Sequence, residues 1–218
     1  MLHQVKELVC KDIRLNVRDR NALYSMLLYV LSTSYVAYLS FGGVIDSNSW
    51  VALFWIIVLF AAMNACLQSF KKELKDQSLF YYIIAKPRAI ILAKTFFNSG
   101  LLIFLTLTSY FIYCLFLGNP ITANISFILC MILGSSAIAS VLTLVSAIAS
   151  KTNNNAGLMA VLSMPLLFPL LLNLIQTTKI CLSQNNLFIA GNQLLFLALL
   201  NIASVLLSYL LFPYLWRD

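Results

Sequence analysis

From Thr95 to Ser150 the chain carries no charged residue. A segment this long and this apolar has no polar face to turn toward water, so its solvent has to be lipid. A spanning helix needs roughly 20 apolar residues, so the segment is too long for one span. Gly118-Asn119-Pro120 divides it into two. The same pattern recurs: there is no charge between Arg20 and Asp46, and none between Asp46 and Lys71. Over the whole chain 61% of residues are hydrophobic and 10% are charged, against roughly 25% charged in a soluble domain.

The charge-free runs predict an all-α polytopic membrane protein, residues 1–218 forming a single transmembrane domain with six spans. They are placed at about 22–41, 50–70, 95–117, 123–149, 157–175 and 193–215. Gly42 and Gly43 end the first. Trp50 opens the second as an interfacial aromatic anchor, and Pro165 and Pro169 fall inside the fifth. A closed β-barrel also satisfies its backbone in lipid, but its strands alternate over about ten residues, whereas these runs are longer and continuously apolar. The first apolar run is of spanning length and lacks a small-residue cleavage site, which reads as a retained helix and not a signal peptide.

Orientation follows from where Lys and Arg gather, because cytoplasmic loops hold the excess. With six spans, one side receives Lys6, Lys11, Arg14, Arg18, Arg20, Lys71, Lys72, Lys75, Lys86, Arg88, Lys94, Lys151 and Arg217, and the other receives Lys179 alone. Both termini are therefore expected in the cytoplasm, in a bacterial inner membrane. The net charge of +7 is explained by this clustering, with no nucleic acid partner needed.

Several chemistries are missing from the sequence. Cys10, Cys66, Cys114, Cys130 and Cys181 are widely separated and form no C-x-x-C pair, which makes a disulfide framework or zinc site an improbable reading. No Asp, Glu, Lys, Arg or His falls within the expected spans. Such residues are costly in lipid and are kept mainly for function, so a proton-coupled transporter is disfavoured. There is no phosphate-cradling G-x-x-x-x-G-K-[ST] loop. His3, the one histidine, lies outside the spans, so histidine ligation of a metal or cofactor within them is excluded. No nucleophile–base pair is evident, and the chain does not read as an enzyme. No catalytic, metal or cofactor-binding residue is assigned.

Residues 2–18 place Leu2, Val5, Leu8, Val9, Ile13 and Val17 at helical spacing, with Lys6, Lys11, Asp12, Arg14 and Arg18 on the remainder. This predicts an interfacial helix held on the bilayer by Leu8, Ile13 and Val17; the plainer alternative is a basic topology anchor. The 71–94 segment mixes charges at Lys71, Lys72, Glu73, Lys75 and Asp76 and turns at Lys86-Pro87-Arg88. It is read either as a rigid cytoplasmic coupling loop or as a solvated loop that only sets topology. Gly134, Ser135, Ser136, Ala137, Ala139 and Ser140 predict close helix packing. Pro165 and Pro169 predict a helix kink. Asn64, Gln68, Asn98, Asn173 and Asn201 are read as helix-to-helix hydrogen bonds, or as the lining of a polar path.

Three stretches together resemble a known family. They are KDIRLNVRDRNALYSMLLYV, the ACLQSFKKELKDQSL that ends the second span followed by PRAIILAK, and LMAVLSMPLLFPLLL around the paired prolines. They are similar to CcmB, the haem exporter protein B of cytochrome c maturation, and the likeness covers nearly the whole chain. Where that family commonly carries Asp-Gly-Ser-Leu-Glu, this chain has Asp76-Gln77-Ser78-Leu79-Phe80. The resemblance implies an ABC-2-like permease subunit that does not itself hydrolyse ATP. Its partners would be a CcmA-like ATPase, CcmC-like and CcmD-like membrane proteins and, indirectly, the haem chaperone CcmE. A second copy of the chain would supply the other six-helix half. Haem would be handled as substrate and ATP met only through the ATPase, with Glu73, Leu74, Asp76, Ser78 and Leu79 as the coupling residues. A permease for a lipid, polysaccharide or peptide, and a non-transporting assembly scaffold, are the alternatives.

Overall fold

The computed structural model describes the backbone of residues 2–18, 20–43, 45–74, 87–118, 125–149, 155–183 and 187–217. Side chains are described over 3–16, 24–43, 45–67, 87–118, 125–149, 157–182 and 191–213. These residues form seven α-helices: α1 Leu2–Arg18, α2 Arg20–Phe41, α3 Ser47–Leu74, α4 Pro87–Leu117, α5 Ile125–Ala149, α6 Asn155–Ser183 and α7 Leu187–Arg217. From α2 onward successive helices run up and down. Contacts between α4 and α7 and between α1 and α4 lie at one end. Trp50, at the start of α3, meets Gly118, just past α4, at the other.

Among the described residues five helical stretches are long and apolar enough to cross a membrane: Ser47–Leu67, Pro87–Leu117, Ile125–Ala149, Gly157–Leu182 and Gly191–Pro213. They agree with five of the six expected spans. The remaining one, α2, has 22 residues and is not among the five. Four tyrosines and five serines or threonines between Tyr24 and Ser40 dilute its apolar character.

The helix ends depart from the expected boundaries. α3 continues past Phe70 to Leu74, and α4 begins at Pro87, so part of the expected 71–94 loop is helix. The expected loop around Lys179 is likewise helical, within α6. Charges mark where lipid ends, not where helix ends. Nothing between Pro87 and Lys94 breaks a helix, and proline at the first helical position lacks only an N–H that would be unpaired anyway.

α5 is the central element, packed against α3, α4, α6 and α7. Its small residues permit this, as expected. At Gly134 a Cβ would overlap the Leu174 side chain and stand 3.0 Å from the Trp55 ring. Hydroxyls along the helices bond back to their own backbone, as Thr143 does to the Ala139 carbonyl at 2.6 Å and Thr178 to the Leu174 carbonyl at 2.7 Å. Between helices, Trp55 Nε1 donates to Thr178 Oγ1 at 3.0 Å and Asn98 Nδ2 to Thr143 Oγ1 at 2.9 Å. Asn201 Nδ2 donates to Ser136 Oγ, and the Ser140 and Ser204 hydroxyls meet. Asn98, Asn173 and Asn201 thus join helices, Asn173 through a 3.5 Å contact to the Gln193 carbonyl. Asn64 is exposed, and the Gln68 side chain lies outside the described residues.

Trp50 is a correction to the sequence reading. It is fully buried and not an interfacial anchor. Its ring stacks on Phe54 with centroids 5.6 Å apart and meets Tyr113 edge-on at 5.0 Å. The indole N–H is satisfied by the Gly118 carbonyl at 3.2 Å, which removes the need for water or headgroups that ordinarily holds tryptophan at an interface.

The turns are built from left-handed glycines and a cap. Gly42 and Gly43 have φ of 60° and 80°, and the Gly43 N–H donates to the Tyr38 carbonyl at 3.2 Å, closing α2 as a Schellman motif. Asp46 then caps α3, its Oδ2 accepting from the Asn48 and Ser49 N–H groups at 3.2 and 3.1 Å.

Gly134→Ala is expected to destabilise the protein by about 1–3 kcal/mol through overpacking, read as a lower Tm in detergent. Gly100→Ala, where a Cβ meets open space, serves as the control and leaves Tm unchanged or slightly raised. Hydrogen bonds from the Ser49 hydroxyl and N–H hold the Asp46 carboxyl below its ordinary value. Its stabilisation is therefore complete above the unfolded-state value and disappears as pH falls through the lowered one. The deficit of Asp46→Ala in thermal unfolding is expected at neutral pH and to shrink on acidification below about pH 4.

Candidate functional site

The end of the bundle that carries most of the basic residues is built from four elements with described contacts. α1 packs along α4, and the start of α4 meets the ends of α5 and α7. Leu8 of α1 lies against a cluster of Ile90 and Ile91 of α4, Ala147 of α5 and Phe212 of α7. Arg88, one turn earlier, places its guanidinium 5.0 Å from the Tyr209 ring centroid of α7, within cation–π range.

One turn beyond Leu8 is Asp12, and its side chain is 94% shielded. Its Oδ2 is 3.1 Å from Lys94 Nζ, which is itself 5% exposed, and its Oδ1 is 3.5 Å from the Lys11 ammonium. A carboxylate and an ammonium taken out of water are tolerated when they face each other at this distance. The pair clamps α1 to α4 and sets the rotation of α1 about its own axis.

This clamp differs from the sequence reading in two ways. Asp12 does not share the polar face with Lys6 and Arg14; it sits in the packed face, between Leu8 and Val9 in helical angle. Ile13, expected to share a membrane-facing stripe with Leu8, is 47% exposed while Leu8 is half-buried against protein. The apolar stripe is divided: Leu8 faces the bundle and Ile13 faces outward. The Val17 side chain lies outside the described residues. Lys94 is also buried inside a helix of spanning character, although the expected spans held no charge. A signal for both existed in the sequence, since each is a single charge whose helical neighbours at three and four residues include apolar side chains. That pattern does not reveal that the two meet.

Of the expected coupling residues, Glu73 and Leu74 are the last two residues of α3, with side chains outside the described residues. Asp76, Ser78 and Leu79 lie outside the described residues altogether. Pro165 and Pro169 lie within one α-helix assigned continuously from Asn155 to Ser183. Both are exposed and line an apolar groove of about 250 Å³ with Leu166 and Leu170 of α6, Val141 of α5 and Leu207 of α7. Proline at these positions withdraws the N–H that would have bonded the carbonyls of Val161 and Pro165. The structure does not bring the prolines and the α1–α4 clamp together in one site.

The CcmB protein family model matches residues 3–214, a span that takes in α1, both partners of the clamp, the paired prolines and every long apolar helix. The chain belongs to the CcmB family. As a CcmB protein it is a multi-pass membrane permease subunit of the haem-export system of cytochrome c maturation, alongside other Ccm components. No curated protein matches the chain.

The clamp gives a direct expectation. Asp12→Asn removes the carboxylate facing the buried Lys94 ammonium and should cost about 3–5 kcal/mol, measured as loss of thermal stability in detergent and faster hydrogen exchange of α1. Lys94→Met leaves Asp12 beside Lys11 and should cost less. The exchanged pair Asp12→Lys with Lys94→Asp should recover part of the loss. If all three variants exchange at the wild-type rate, the clamp does not hold α1.

Proposed function

We propose that this CcmB protein converts ATP hydrolysis by a separate CcmA-like ATPase into movement of its helices during haem export or release of the haem-loaded chaperone CcmE. In this reading α2 is the sixth span, both termini are cytoplasmic, and the membrane is the bacterial inner membrane. The mixed-charge segment at the end of α3 is the docking point, with Glu73, Leu74, Asp76, Ser78 and Leu79 meeting the ATPase. CcmC-like and CcmD-like proteins and a second copy of the chain complete the assembly, and the substrate handled is haem.

The observation that carries the reading is the shared end of the bundle. The C-terminus of α3, the N-terminus of α4 and the clamped α1 all lie at the end where Lys and Arg concentrate. A push on the segment between α3 and α4 reaches the central α5 through α4, which packs on it, and reaches α1 through Lys94 and Asp12. Rigid helices joined by a buried ion pair transmit displacement better than a solvated loop, because an ion pair out of water resists being pulled apart. The absence of a phosphate-cradling motif from the sequence fits an energy source in another subunit.

The test reverses Glu73 and Asp76 to Lys and measures co-purification of the CcmA-like ATPase together with the yield of c-type cytochromes. Both should fall severalfold or more. Wild-type capture and wild-type cytochrome yield would remove this segment as the docking point. Intact c-type cytochromes in a deletion strain would instead point to a permease for another substrate.

A further inference from the structure

The Asp12–Lys94 clamp determines which side of α1 looks away from the protein. With Asp12 and Leu8 turned inward, His3, Lys6, Cys10 and Arg14 point outward, all exposed, and with Lys11 they line an open concavity of about 610 Å³. The acids on this helix do little to neutralise it. Asp12 is buried in the clamp, and Glu7 is 3.3 Å from His3 on the preceding turn. Lys11 is held 3.5 Å from the Asp12 carboxylate, so Lys6 and Arg14 are the two exposed cations that face a space bordered by the Glu7 carboxylate.

We propose that this face of α1 binds the phosphate of anionic lipid headgroups in the leaflet where it lies. This deepens the reading of α1 as a membrane-surface helix by assigning it a preference among lipids. Two features favour a lipid over an acidic soluble protein. Ile13 and Leu15 flank the cations and are 47% and 45% exposed, which suits a boundary where charged heads and acyl chains meet. The helix is also held beside α4, a membrane-crossing helix, so its outer face has a bilayer within reach without any rearrangement. Lys and Arg near an anionic membrane surface each strengthen association by about fivefold, and the attraction falls within a Debye length.

Cys10 offers a reporter in the middle of the face. It is exposed, whereas Cys66, Cys130 and Cys181 are buried, and a Cys114→Ser background removes the half-buried thiol. The full chain, labelled at Cys10 with a fluorophore, is reconstituted in phosphatidylcholine vesicles doped with headgroup-quenching phosphatidylglycerol or, in a second arm, headgroup-quenching phosphatidylcholine. At equal mole fraction the anionic quencher should be the stronger by severalfold. That excess should be largely lost in each of Lys6→Gln and Arg14→Gln, and fall with added sodium chloride. Sodium phosphate at matched ionic strength should do no more than the chloride, which separates a headgroup from free phosphate. Equal quenching by the two lipids, or quenching by neither, overturns the proposal. Near-wild-type hydrogen exchange of α1 in the two variants verifies that the clamp is intact. Capture of the ATPase is read separately, so a failure here leaves the proposed coupling segment standing.

Discussion

Hydrocarbon offers no hydrogen bonds, so backbone groups carried into it pair within the protein and polar side chains gain by doing the same. That single condition accounts for most of what the helices do. Their backbones pair internally. Many of their serines and threonines return to carbonyls three or four residues back, as Ser140 does to Ala137 and Thr177 to Asn173, while the buried Ser34 and Thr106 hydroxyls make no hydrogen bond among the described residues. Their side-chain amides reach across to neighbours, as Asn98 does to Thr143. The same condition makes the central helix α5 workable. Small residues such as Gly134 bring four helices close enough for these bonds to form, and Trp55 uses its indole N–H to tie α3 to Thr178 of α6.

The most demanding instance is the Asp12–Lys94 pair. Full charges are tolerated in a poorly solvated place only when they neutralise each other, and so the pair can exist only with α1 docked. α1 is thereby fastened to the start of a spanning helix, and one consequence is an outward face that carries Lys6 and Arg14. At the opposite end, Trp50, Phe54, Tyr110, Tyr113 and Phe127 form an aromatic cluster that joins α3, α4 and α5 by ring packing, with the Trp50 N–H bonded to the Gly118 carbonyl and the Tyr113 hydroxyl to the Trp50 carbonyl. The two ends of the bundle thus differ in that one adds a buried ion pair to its apolar cluster and the other adds neutral hydrogen bonds to its aromatic one.

Membership of the CcmB family extends across α1 and all the long helices, so the amphipathic segment belongs to the family's domain and is not an appendage. The proposed coupling to an ATPase uses this continuity. In that proposal the segment between α3 and α4 is where the ATPase would push, and α4 meets α1, α3 and α5. The groove beside Pro165 and Pro169 stands apart from that path, on the face made by α5, α6 and α7.

Much of the architecture was legible from residue order because lipid imposes a one-dimensional rule: charge out, apolar in, with about 20 residues per crossing. That rule placed five spanning helices, the glycine turn after α2, the packing role of Gly134 and the amphipathic character of residues 2–18. It misplaced helix ends at Leu74, Pro87 and Ser183, because a helix does not stop where lipid stops. The sequence by itself settled which segments leave water. Tertiary structure alone decided that Asp12 turns inward to Lys94, that Ile13 turns out, and that Trp50 is buried beneath Tyr113 and Gly118. Those outcomes depend on which distant side chain stands opposite, and the energy of a buried charge or indole N–H is set by that partner and not by its neighbours in the chain.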